Sequence, residues 1–461
     1  MTEHIRDFIW GPWLMGLFRM AGIYFTIRFR GFQIFRFRQW WRETAGSMGR
    51  ETGEEKKSQF ASACTALAAT VGTGNIAGVA AALSLGGPGA VFWMWVSAAI
   101  GMMTAYSEVY LGQIYRYQSR DGRPICGPYA YLEKGLGMRG MGLIYAGLSV
   151  LASLGMGSMV QANSVAESAA CAAGIPLPVT GFILTALVMA VIFGGAERIS
   201  SAALRLVPFS AAFYLGLCAV ILFAHIKQIP LALSWIVEDA FSFKSAAGGA
   251  AGVFLSRAVR FGVSGGVFSN EAGLGSLAVL HGEAEALGEG KQKKEQFAKE
   301  QGLWAIFEVF FDTMVSCTLT ALVILCVVGG RIAPGSIGGE RGIQALTDLS
   351  GSAGVAVCFS ACFGKMGEVL VSASMSLFAF ATIIAWFYLG RQALSYMTQN
   401  RKNRKQIFMC YGFFYLNAVF FGCVARLTLV WELSDIFNGL MAVPNLIGLF
   451  FLRREVKDPR T

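Results

Sequence analysis

The chain has 461 residues, 55% of them hydrophobic and only 14% charged, against about 25% charged in an ordinary soluble protein. So long a chain with so little charge cannot cover a water-exposed surface; this excludes a soluble multidomain enzyme and a disordered chain, and leaves a polytopic membrane protein. The net charge of +10 does not indicate nucleic acid, because the basic residues gather in short connectors between apolar runs.

The apolar runs, in chain order, are about Phe8–Ile27, Phe60–Leu85, Gly89–Gly112, Gly142–Ala173, Pro178–Gly194, Ala202–Ala224, Ala246–Leu280, Leu303–Gly329, Ala353–Gly390, Ile407–Ala425 and Thr428–Leu452, eleven in all. Most reach the roughly 20 residues that span about 30 Å of hydrocarbon. Each is read as a helix, since a lone strand leaves its backbone unpaired in lipid. The runs at Ala246–Leu280 and Ala353–Gly390 are long enough to require a break, a tilt or an amphipathic entry. Met1–Asp7 carries acids beside Arg6, and no small-residue cleavage site follows the first run, so no cleavable signal is expected.

Alternate connectors, at 28–57, 113–141, 195–205, 281–301, 391–406 and 453–461, hold 28 of the 38 Lys and Arg. This asymmetry puts the C-terminus in the cytoplasm and, with eleven spans, the N-terminus outside. The Arg28–Arg50 connector interleaves Arg with Phe and Trp; a juxtamembrane segment on anionic headgroups accounts for it better than an RNA-binding arm. The ten cysteines include no CxxC and, except Cys126, lie in or at the ends of apolar runs, which reads as small buried apolar residues.

Two runs are interrupted. The second carries Thr70-Val71-Gly72-Thr73-Gly74-Asn75, and the seventh carries Gly262 to Gly275 with Ser264, Ser269, Asn270 and Glu271 among its glycines. Close packing through small residues explains the glycines but not adjacent polar groups that are costly to bury. With the first run set aside, ten remain, and the interrupted ones open each group of five. An odd number of helices per repeat inverts the second copy. This is the pattern of an inverted-repeat secondary transporter, with its site where two discontinuous helices meet near the bilayer midplane. The units expected are 1–57 (an extra helix and basic connector), 58–224 and 245–452 (two five-helix repeats), and 453–461 (a basic cytoplasmic tail).

The run Gly86–Gly101, GGPGAVFWMWVSAAIG, closely resembles the signature of the alanine/glycine:cation symporter family. The likeness continues through VGTGNIAGV (Val71–Val79), YLEKGLG (Tyr131–Gly137), VQANSVAE (Val160–Glu167), FSNEAGLGS (Phe268–Ser276), FDT (Phe311–Thr313), FAFAT (Phe378–Thr382) and NGLMAVPNLIGL (Asn438–Leu449), nearly the whole chain in order. The resemblance implies sodium-coupled uptake of alanine, glycine or a related small neutral amino acid, on an all-α, leucine-transporter-like core of five plus five helices with one extra N-terminal helix. By position, it implies Thr73, Gly74 and Asn75 at the first break and Phe268, Ser269, Asn270 and Gly273 at the second, with Gln161 and Asn163 facing them. For sodium it implies carbonyls near Ala69, Gly72 and Phe378 and the hydroxyl of Thr382. The family usually has Ser-Thr where this chain has Ala381-Thr382, and an Arg where this chain has Gly265.

Among other polar groups, Glu108 and Glu167 lie toward helix ends and Glu308 and Asp312 within a span, where acids are functional candidates. Asp312 serves either to position the broken helices or to bind an ion, and Glu271 sits beside the second break. Lys365 and Glu368 are spaced for a salt bridge on one helix. An enzyme is not expected: Gly72–Gly78 is one residue off a dinucleotide fingerprint with no βαβ unit around it, FGKM (Phe363–Met366) lacks a phosphate loop's upstream glycine, and His4, His225 and His281 are too dispersed for a metal site. No cofactor is expected beyond sodium as the coupling ion, and the partners expected are an amino-acid substrate and the lipid bilayer of the cell (inner) membrane, with no nucleic acid and a monomer as the functional unit. The competing functions are a proton-coupled carrier or a carrier of serine or glutamine, a channel, and a non-transporting amino-acid sensor.

Overall fold

The structure, a computed structural model of the whole chain, describes residues 2–47, 54–119, 122–241, 257–284, 290–331, 351–425 and 428–460. A short amphipathic helix, α1 (Thr2–Ile9), precedes α2 (Pro12–Arg28); proline at the start of α2 lacks only an N–H that has no intrahelical partner there. The chain then turns through Gly31, at φ 65°, into α3 (Phe32–Phe35) and α4 (Phe37–Glu43). Next, α5 (Glu54–Thr70) and α6 (Ala77–Gly86) are halves of one interrupted helix, followed by α7 (Gly89–Ile114). A two-stranded ribbon, Tyr117–Gln118 with Pro124–Ile125, and α8 (Pro128–Lys134) lead to α9 (Arg139–Leu154). That helix continues through a π-helical stretch, Gly155–Val160, into α10 (Gln161–Ala173).

After α11 (Leu177–Ile192), α12 (Gly195–Ala224) and the shorter α13 (Ile229–Ala240) comes the second interrupted helix, α14 (Arg257–Asn270) with α15 (Ser276–Leu280). A second helix with a π stretch follows, as α16 (Lys291–Val309), Phe310–Cys317 and α17 (Thr318–Arg331). The chain ends with α18 (Gly351–Phe363), α19 (Met366–Met397), α20 (Arg404–Val424) and α21 (Thr428–Phe451).

Among the described residues, seven helices are long and apolar enough to cross a bilayer: Gly89–Ile114, Arg139–Ala173, Gly195–Ala224, Lys291–Gly330, Met366–Met397, Arg404–Val424 and Glu432–Phe451. They coincide with seven of the runs read from the sequence. The remaining runs are α2, the 16-residue α11 and the two interrupted helices, whose breaks shorten each continuous piece. In the seventh run, residues 246–256 lie outside the described residues. The ninth run is two helices, α18 and α19, because Gly364 turns the chain at φ 59°. That turn corrects one expectation: Lys365 precedes α19 instead of sharing it with Glu368, and no salt bridge joins them. All ten cysteines are unpaired, but Cys171 and Cys410 are exposed, not buried as expected.

The packing places the interrupted helices centrally. Helix α7 lies between α14 and α16, α5 packs against α12, α16 and α19, and α9 and α10 lie along α19. The outer helix α2 covers α7, and its end is tied to the C-terminal tail by Arg28, whose guanidinium donates to the carbonyls of Arg454 (3.1 Å) and Val456 (3.0 Å).

Candidate functional site

The first break begins where Thr70 ends α5. Gly72 takes extended backbone, Thr73–Asn75 make one 3₁₀ turn, and the helix resumes at Ala77. Asn75 stabilises the break from within: its Oδ1 accepts the Gly72 N–H at 2.9 Å, pairing a donor that the interruption would leave orphaned. The Asn75 carbonyl in turn accepts the Thr320 hydroxyl at 2.7 Å. Thr73 is held from the neighbouring helix, its hydroxyl donating to Gln161 Oε1 at 2.8 Å.

The second break is a run of left-handed residues, Glu271 (φ 56°), Gly273 (φ 96°) and Gly275 (φ 81°). Glycine adopts this region without penalty; Glu271 bears the strain of a side chain there. Its carboxylate accepts the Ser276 hydroxyl at 2.6 Å, across the break. Carbonyls freed by the interruption find side-chain donors: Gly273 accepts from Asn445 Nδ2 at 2.8 Å and Leu274 from the Tyr145 hydroxyl at 3.1 Å. Asn445 also hydrogen-bonds to Glu108 and Tyr131.

Asp312, fully buried on the π stretch after α16, joins the two breaks. Its Oδ1 accepts Asn75 Nδ2 at 2.6 Å; its Oδ2 accepts the Ser269 hydroxyl at 2.7 Å and the Thr313 hydroxyl at 2.9 Å. Thr313 Oγ1 also receives Asn270 Nδ2 at 3.0 Å. Three donors satisfy the carboxylate, and no Lys or Arg among the described residues hydrogen-bonds to it. A widened turn in the middle of a helix is a frequent feature of functional sites; here it carries the group that binds both interrupted helices.

These contacts sort the candidate residues. Thr73, Gly74, Asn163 and Phe268 line one cavity of about 470 Å³, together with Ser164, Glu167, Arg6 and Glu432. A second cavity of about 470 Å³ shares Gly74, Phe268 and Arg6 with it. Gln161 stands behind that wall, holding Thr73. Asn75, Ser269 and Asn270 turn away from both cavities toward Asp312 and Thr313, and Gly273 lies at the second break under Asn445. The proposed sodium group is compact: a Cβ placed on Gly72 would come within 2.8 Å of Thr382 Oγ1, and that hydroxyl donates to the Phe378 carbonyl at 3.0 Å. Ala69 is buried at the end of α5 nearby, and Ala381 is buried beside Thr382.

Several participants carry no local sequence signal. Thr320 and Tyr145 are ordinary residues of apolar helices, and only the fold brings them to a break. Asn445 follows Pro444 inside an apolar helix, an unusual pair that marks the position without naming its partners. Arg6 reaches the cavities because α1 packs on α21. Among the described residues, no group of three or more His, Cys, Asp or Glu could hold a metal ion. His281 is fully buried against Glu308, at 3.0 Å, and Gln301, at 2.9 Å, away from the breaks' polar residues.

Long apolar helices around two interrupted ones, with Thr73 and Gly74 of the first break and Phe268 ahead of the second on the wall of one cavity, define a membrane transporter. The chain matches the sodium:alanine symporter family over residues 1–459 and belongs to that family. It is 38% identical to the sodium/alanine symporter AgcS of Methanococcus maripaludis, covering 98% of this chain and 94% of that one. It is 36% identical to the probable sodium/glutamine symporter GlnT of Bacillus subtilis, covering 99% and 89%. It is also 35% identical to the putative sodium/proton-dependent alanine carrier protein YrbD of the same organism, covering 88% and 80%. A solved manganese transporter of Eremococcus coleocola shares the fold, at a TM-score of 0.53 and 14% identity over 87% of this chain and 79% of that one.

Proposed function

We propose that this protein is a sodium-coupled symporter that carries a small neutral amino acid, alanine or glycine, by alternating access between two inverted units of five helices. The observation that carries the reading is Asp312: one buried carboxylate binds Asn75 of the first interruption and Ser269 of the second. The carboxylate thereby ties the two interruptions together, beside the site that such a transporter builds where its discontinuous helices meet. Two packings are what an inverted repeat would produce, since the second helices of the two units, α7 and α16, lie together and so do the third, α9 with α10 of the earlier unit and α19 of the later. The eleven-span count, the external N-terminus and the cytoplasmic C-terminus belong to the same reading.

Thr73 and Gly74 would meet the substrate's carboxylate at the start of α6, where helix N–H groups and the dipole favour an anion. Asn163 and Glu167 would meet its ammonium, and Phe268 would bound the side-chain space. Sodium would take oxygens from carbonyls near Ala69, Gly72 and Phe378 and from the Thr382 hydroxyl, whose lone pairs stay available while its proton points to Phe378.

The test is radiolabelled alanine uptake into proteoliposomes under imposed sodium, lithium or proton gradients, with glycine, serine and glutamine as competitors. Uptake driven by sodium and inhibited by excess glycine supports the reading. Uptake driven only by a proton gradient, or preferential competition by glutamine, replaces the ion or the substrate. Binding without counterflow identifies a sensor.

A further inference from the structure

Between α2 and the first interrupted helix, α3 and α4 present two unlike faces. The inner face is Phe32, Gln33 and Trp40, all buried. Gln33 Nε2 donates to the Ala99 carbonyl of α7 at 2.9 Å and Trp40 Nε1 donates to the Gln33 carbonyl at 3.0 Å. The outer face is apolar and cationic: Ile34 is 56% and Phe35 80% exposed, Phe37 and Trp41 are exposed, and so are Arg36, Arg38 and Arg42. From residue 28 to 47 the sole acid is Glu43. A solvated protein surface does not expose such aromatics beside unbalanced arginines. Rings at acyl-chain depth with guanidinium groups reaching for phosphates are the features of a segment seated on anionic lipid. The Arg28 contacts with the C-terminal tail place the segment on the tail's side of the bilayer.

The segment also reaches toward the site, through buried Trp40 and through the sides of the two exposed rings, Phe37 and Trp41. Trp40 meets the Phe310 ring edge-on at 5.4 Å, Phe37 meets it at 5.5 Å, and Trp41 meets Phe307 at 5.9 Å. Phe310 opens the π stretch that carries Asp312 two residues later.

We propose that Arg36, Arg38 and Arg42 form a binding surface for anionic phospholipid in the leaflet beside the C-terminal tail, and that headgroups bound there brace, through Trp40 and Phe310, the π stretch that holds the two breaks together. The surface does not depend on which substrate is carried; its effect on uptake rests on the transport reading.

The full-length protein in detergent, titrated with phosphatidylglycerol or phosphatidylcholine while its unfolding midpoint is followed, tests the surface. Phosphatidylglycerol is expected to raise the midpoint by several degrees and phosphatidylcholine to leave it unchanged, with the shift shrinking as salt screens the headgroups. The triple variant Arg36→Gln, Arg38→Gln, Arg42→Gln should lose most of the shift, and Arg36→Lys, Arg38→Lys, Arg42→Lys should keep most of it. A wild type that does not distinguish the lipids, or a Gln variant with the full shift, overturns the surface. Initial alanine uptake in phosphatidylcholine vesicles with and without phosphatidylglycerol tests the brace: a several-fold gain is expected for wild type and none for the Gln variant. A wild-type rate indifferent to phosphatidylglycerol refutes the brace. If no vesicle supports uptake, the transport reading fails, and the unfolding titration still decides the surface.

Discussion

Asp312 concentrates the chemistry of the core, because every donor it accepts belongs to a segment that the proposed cycle must keep together. Removing the carboxylate in Asp312→Ala takes the shared acceptor from Asn75, Ser269 and Thr313 at once, leaving Asn75 the residue 312 carbonyl and Ser269 only the weak Cys317 Sγ, and an unpaired buried donor costs about 1–3 kcal/mol. Uptake is expected to fall by at least about 10-fold, with a lower unfolding midpoint. Asp312→Asn keeps one oxygen for Asn75 and offers an amide to hydroxyls that can rotate to accept it, so its midpoint should lie between those of the wild type and Asp312→Ala. Equal midpoints for all three proteins would show that the hub does not hold the breaks. At the neighbouring group, Thr382 is the one hydroxyl of the Ala381-Thr382 pair beside Gly72. Ala381→Ser supplies a second and should lower the sodium concentration for half-maximal uptake, while Thr382→Ala should raise it. A lost oxygen ligand is worth on the order of 1–3 kcal/mol by analogy with an unmade bond to a charge. A sodium titration unmoved by both substitutions would place the cation elsewhere.

The interruptions are the elements that make a transporter of this bundle, and glycine acts differently in each. At Gly74 the backbone is ordinary and the space is the issue: a Cβ there would stand 3.9 Å from the Phe268 ring, on the wall of the shared cavity. Gly74→Val should therefore leave the unfolding midpoint close to wild type and abolish uptake, by filling the place proposed for the substrate; normal uptake would move the substrate away from this wall. At Gly273 the backbone is the issue, since φ 96° is a region side chains rarely occupy, and a Cβ would also strike the Phe18 ring of α2. Gly273→Ala should lower stability by about 1–3 kcal/mol and slow uptake, measured as a fall in midpoint together with rate. The contact with Phe18 gives α2 a role the sequence did not suggest: this helix packs against the second break at Gly273. Both interruptions were legible as glycine clusters with adjacent polar residues. The direction of those polar residues was not, because Asn75 and Asn270 could equally have faced a cavity until the π stretch Phe310–Cys317 was placed behind them.

For the whole molecule, the bias of Lys and Arg toward one set of connectors predicts that reporter fusions at Thr461 and at Gly290 both read cytoplasm; an exterior reading at either would end the eleven-span topology. Reciprocity of coupled binding adds a second whole-molecule expectation: if sodium and amino acid share the site, a variant that tightens sodium, such as Ala381→Ser, also tightens alanine at subsaturating sodium. The membrane class, the approximate spans and the location of both interruptions follow from the sequence alone, because hydrophobic length and helix-breaking residues act locally. Partnership does not. Asp312 lies 237 residues from Asn75 and 43 from Ser269; the length of the ninth run called for a break, but that the turn at Gly364 takes Lys365 out of α19 is settled only by the fold. Which carboxylate clamps the two breaks, which asparagines line a cavity and which serve a clamp, and how α2 closes against Gly273 were decided by tertiary packing, because a buried polar group must take whatever partner the fold brings within hydrogen-bond distance.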